Sequence, residues 1–144
     1  MALNGWPISQ GTGSRPFTKR FPLATGQSFV TGNLVVLDGS GDIAECTADP
    51  AEITGWAAEP AADAVESGYV MVYVATNDTL FAMEPLTGTI TEAAIGEDYA
   101  VDFTSSVWTI DLGDTANVRV LVVGVDINRN IAIVKVLQSV RTFE

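Results

Sequence analysis

Histidine is absent from this 144-residue chain, which removes the usual general base, the usual nucleophile triads and the commonest zinc ligand together. Enzymatic chemistry is therefore not expected. The single cysteine, Cys46, excludes an internal disulfide, and Glu45 and Asp49 nearby disfavour a thiolate, so a buried structural role is expected. No lysine or arginine occurs between residues 22 and 118, while sixteen of the eighteen acids fall there. With a net charge of -11 and a pI near 4.1, the chain lacks the cations that binding to a phosphate backbone requires, so nucleic acid is not an expected partner. Nor does any run approach eighteen consecutive apolar residues, and the N-terminus has no charged leader followed by an apolar core. The expectation is a soluble protein made in the cytosol, with no membrane partner.

Only 17% of residues are charged, against about 25% in a typical domain, which suggests that part of the surface is covered by other subunits. The seven cations are unevenly placed. Arg15, Lys19 and Arg20 fall within the first twenty-one residues, a stretch with no acid, two prolines and three glycines. That stretch reads as an extended basic N-terminal arm, residues 1–21, on an acidic β-rich body, residues 22–144. An arm of one sign on a body of the other fits a protein that holds on to another subunit. Trp6, Ile8 and Phe17 are its apolar anchors, because exposed aromatics on an unpaired segment fill partner pockets. With Arg15, Lys19 and Arg20 they form the expected partner-binding set.

The body reads as many short strands spaced by turns. A short strand is expected at 28–30. The runs 34–37 and 43–46 flank Asp38-Gly39-Ser40-Gly41-Asp42, which can supply the positive φ angles of a tight hairpin. A strand over 53–58 contains Gly55, a sign of a bulge or a close backbone approach. Residues 59–68 read as a loop. Alternation is clear over 69–74, with valines on one face and Tyr69, Met71 and Tyr73 on the other. Residues 79–83 follow across an Asn77-Asp78 turn. Weak strands are expected at 99–103 and 107–111, with at most one helical turn near 90–95. The second clear hairpin pairs 118–127 with 131–137 around Asn128-Arg129-Asn130; being apolar on both faces, it belongs centrally or at an interface. With no amphipathic helix of ten residues, the fold class is all-β, a small β-barrel or β-sandwich with an extended N-terminal arm.

Several chemical readings fall away. Asp38, Ser40, Asp42 and Asp49 match positions 1, 3, 5 and 12 of a calcium loop, but Ile43 occupies the position where that loop needs glycine. No metal or cofactor is assigned. Gly11-Thr12-Gly13-Ser14-Arg15 lacks the ending of a phosphate cradle. Trp56 and Trp108 could stack on sugars in a carbohydrate-binding β-sandwich module, the alternative reading, although core packing suits strand tryptophans better.

Four stretches resemble the capsid decoration, or cement, proteins of tailed bacteriophages: 26–37 (GQSFVTGNLVVL), 53–62 (ITGWAAEPAA), 68–75 (GYVMVYVA) and 119–125 (RVLVVGV). The resemblance implies a non-enzymatic head protein on the outer capsid surface of a virion. It further implies homotrimers seated where capsomers meet, with N-terminal arms laid on the major capsid protein or on neighbouring decoration subunits.

Overall fold

The computed structural model describes the backbone of residues 6–8 and, in full, residues 17–143. The fold is all-β, built from two antiparallel sheets. The six-stranded sheet runs in the order β1 (Trp6–Ile8), β7 (Leu80–Met83), β11 (Ile131–Val136), β10 (Val120–Asp126), β8 (Asp98–Thr104) and β9 (Val107–Asp111). The five-stranded sheet runs β2 (Thr18–Pro22), β6 (Tyr69–Val74), β5 (Gly55–Ala57), β3 (Leu34–Leu37) and β4 (Ile43–Glu45). The second sheet curls: Ala24 N–H donates to the Ile43 carbonyl at 2.9 Å, and Leu23 bridges Ile43 in parallel, so the chain following β2 meets β4 at the opposite edge.

Two apolar clusters follow from this geometry. Between the sheets lie Leu34 and Trp56 from one side and Phe81, Trp108, Ile110, Val122 and Val134 from the other, all fully buried. Trp56 stacks on Phe81 with ring centroids 3.6 Å apart. Inside the curl, the alternating valines Val70, Val72 and Val74 pack with Phe21, Phe29, Ile43, Ala61 and Ala64. The alternation of β6 thus feeds both clusters, since Tyr73, on the opposite face from the valines, packs against the first.

Both clear hairpins form. In the first, Asp38 Oδ1 accepts the N–H groups of Ser40 (2.8 Å) and Asp42 (3.0 Å), with Gly41 at φ 83°. The carboxylate is thereby committed to the turn, and no metal-ligating cluster occurs among the described residues. The β10–β11 hairpin is central in its sheet, as two apolar faces require, with a register shift between Val122 and Gly124 that leaves Val123 unpaired. Gly55 is explained by close approach: an added Cβ would lie 2.0 Å from the Tyr73 carbonyl oxygen.

Three expectations are corrected. Residues 28–30 form no strand, because the Val30 N–H is taken by the Asn33 side chain (2.7 Å) and the Phe29 carbonyl accepts the Ala61 N–H (3.0 Å). The 59–68 segment contains a one-turn helix, α1 (Ala61–Ala64), whose two buried alanines fill the curl. Finally, the arm boundary at residue 21 is too late: Thr18–Pro22 is a strand along the length of β6, and Phe21 is in the core.

Candidate partner-binding surface

β2 is where the cations of the first twenty residues meet the body. Its register places Thr18 opposite Tyr73, Lys19 opposite Val72, Arg20 opposite Met71, Phe21 opposite Val70 and Pro22 opposite Tyr69. Because cross-strand partners share a face, Lys19 and Phe21 lie on the curl side, whereas Thr18, Arg20 and Pro22 share the other face with the β6 tyrosines and Met71. Thr18, Lys19 and Arg20 are exposed, and Phe17, just ahead of the strand, is 53% exposed.

The cations differ in what surrounds them. The Lys19 ammonium stands 5.4 Å from the Phe21 ring centroid and 6.0 Å from that of Phe143, and these two rings stack at 6.1 Å. Lys19 therefore helps to seat the C-terminal segment, which is further held by Val140 C=O accepting from Ile53 N–H (2.7 Å) and by the Thr54–Thr142 hydroxyl pair (2.7 Å). Arg119 is spent inside the body, where its guanidinium donates to the carbonyls of Asp49, Pro50 and Val118. Arg129 forms an ion pair with Asp126 at 3.7 Å, and Lys135 donates to Asn77 Oδ1 at 3.4 Å. Among the described residues, neither Lys19 nor Arg20 is in an ion pair.

Asp114 is held below the ordinary carboxylate range by the N–H groups of Ala116 and Asn117, a loop-ordering role. Burial pushes the Cys46 thiol up, and Glu45 and Glu52 add to the shift, so it stays a protonated, inert core group. Trp56 and Trp108 are fully buried, as core packing requires, and offer no ring to an external ligand.

Of the residues expected from the sequence to bind a partner, the structure brings Phe17, Lys19 and Arg20 together at β2. Arg15 and the side chains of Trp6 and Ile8 lie outside the described residues; the backbone of residues 6–8 pairs with β7, Trp6 opposite Ala82 and Ile8 opposite Leu80. Sequence reading missed Tyr69 and Met71 as neighbours of Arg20, and Phe143 as a neighbour of Lys19, because the pairings span some fifty to over a hundred positions. The alternation of β6 was the only available signal. No family model, curated protein or solved structure matches this chain.

Proposed function

We propose that this chain is a non-enzymatic structural protein that binds the outer surface of a tailed-phage capsid as a homotrimer and stabilises the shell through its basic N-terminal segment. The observation that carries the reading is the placement of Lys19, Arg20 and Phe17, exposed at the edge of an otherwise acidic body. The major capsid protein and neighbouring copies of the chain are the partners. Ordering a segment on a partner costs roughly 1–2 kcal/mol per residue, which burial of its apolar side chains, Phe17 among them, must exceed; the backbone of residues 6–8 already pairs with β7 of its own chain. Exposed ion pairs made by Arg15, Lys19 and Arg20 add only about 0–1 kcal/mol each, so their effect on affinity comes from repetition across the linked copies, and they also set register. Three linked segments per trimer turn modest single contacts into durable attachment.

The apolar outer side of the β10–β11 hairpin, where Leu121 and Ile133 are half-buried and Val123 is exposed, is the surface on which the subunits meet. A carbohydrate-binding role is less well supported, because Trp56 and Trp108 are sealed in the core.

The test is a pull-down with the major capsid protein encoded in the same genome, beside light scattering of the purified chain at micromolar concentration. Capture of the capsid protein and a trimer mass are expected. A monomer that captures nothing would refute the proposal.

A further inference from the structure

The outer edges of a sheet expose unpaired backbone groups unless another segment covers them. Two edges here are covered by the chain itself. At β4, Ile43 C=O accepts from Ala24 N–H (2.9 Å) and Glu45 N–H donates to Gln27 Oε1 (2.9 Å). At β9, Ile110 donates to Glu84 C=O (3.0 Å) and accepts from Leu86 N–H (2.8 Å). β2 is different. Phe17 C=O accepts from Val74 N–H at 2.8 Å, and the alternation that follows turns the backbone groups of Lys19 and Phe21 toward β6 and those of Thr18 and Arg20 outward. No described residue bonds those outward groups.

We propose that the β2 edge accepts an additional strand from another protein, an extended segment carrying carboxylates at alternate positions. The charge on the edge selects this occupant. Antiparallel pairing of two β2 strands sets cation against cation, which opposes a symmetric dimer through this edge. A carboxylate-bearing strand instead gains an opposite-charge cross-strand pair with Lys19 on its carboxylate face, with the charge of Arg20 close by at the edge, while its backbone pairs with Thr18 and Arg20. Pro22 ends the docking register, since it has no N–H to offer at the next outward position. Apolar side chains of the incoming strand continue the face formed by Arg20, Met71 and the half-exposed Tyr69. The site extends beyond attachment to a shell, because it holds whichever protein supplies the strand.

The experiment titrates the isotopically labelled full chain with two capped peptides, Glu-Val-Glu-Val-Glu-Val and Lys-Val-Lys-Val-Lys-Val, and follows amide shifts and exchange. Because the chain carries a net charge of -11, bulk attraction favours the basic peptide, so a preference for the acidic one reports the local field at β2. The acidic peptide is expected to move the Thr18 and Arg20 amides and slow their exchange, and the basic one is not. Lys19→Glu with Arg20→Glu should reverse the preference. Thr18→Pro, which removes an outward donor the fold does not use and leaves both cations, should keep the remaining spectrum and weaken the acidic peptide about tenfold. Unmoved Thr18 and Arg20 amides at millimolar acidic peptide would overturn the proposal. So would an equal response to both peptides, unchanged binding in Thr18→Pro, or self-pairing through β2.

Discussion

The indole Nε1 of Trp108 donates to Oε2 of Glu45 at 3.3 Å, tying β9 of the six-stranded sheet to β4 of the five-stranded one. Burial raises the Glu45 carboxyl above its ordinary range, and the hydrogen bond from Trp108 only partly opposes that shift.

A pH dependence follows. A carboxyl with a raised folded-state pKa contributes stability that is fully present below its unfolded pKa and lost as pH rises through the folded value. Glu45→Gln keeps an oxygen for Trp108 and removes the cost of burying the charge. The variant should melt above the parent at pH 7, and the difference should vanish below about pH 4, where the parent is protonated as well. Paired thermal scans across that range check it, and an equal gain at both ends would exclude the assignment.

Gly55 is the least replaceable glycine described. Gly55→Ala drives a methyl into the Tyr73 carbonyl, at 2.0 Å from the oxygen and 2.9 Å from the carbon, so β5 and β6 must separate. The expected loss is about 3 kcal/mol in urea unfolding, the upper end for overpacking.

Asn130 has two functions. It sits at φ 56° in the β10–β11 turn, and its side chain clamps a distant loop by accepting from Ile90 N–H (2.7 Å) and donating to Gly88 C=O (3.2 Å). Asn130→Gly keeps the backbone but loses the clamp, at a cost of about 1–3 kcal/mol. Asn130→Ala should lose roughly 1 kcal/mol more, from the left-handed backbone. Denaturant midpoints of the two variants separate the contributions.

The corrected boundary of the N-terminal segment also makes a prediction. A chain starting at Phe17 keeps β2, whereas one starting at Leu23 loses it together with the buried Phe21 and strips the outer cover from Val70 and Val72. The second should melt at least about 5 °C below the first. Equal melting temperatures would mean that β2 adds nothing to the body.

How much of this was legible depended on whether the signal was local. The β10–β11 hairpin declared itself through two apolar runs around Asn128-Arg129-Asn130, and Gly55 announced a close approach before its neighbour Tyr73 was known. β2 was hidden because an edge strand with three exposed residues in a row, Thr18, Lys19 and Arg20, has no alternation to read. The β8–β9 turn was equally unmarked, since Ser105 and Ser106 both adopt positive φ (54° and 65°) where glycine or asparagine is the usual cue. At the candidate site, charge alone brought out Lys19 and Arg20. Their neighbours Tyr69, Met71 and Phe143 arrive from far along the chain through sheet pairing and the docking of the C-terminal segment, which no local pattern encodes.

The central claim, that a basic strand edge on an acidic platform fastens this chain to a shell, is tested most directly by sedimenting assembled shells of the capsid protein from the same genome with the purified chain. The wild-type chain is predicted to pellet with the shells to saturation, less so as salt rises, while Lys19→Glu with Arg20→Glu stays in the supernatant. A wild-type chain left in the supernatant, or a reversed chain that pellets equally well, would contradict the account.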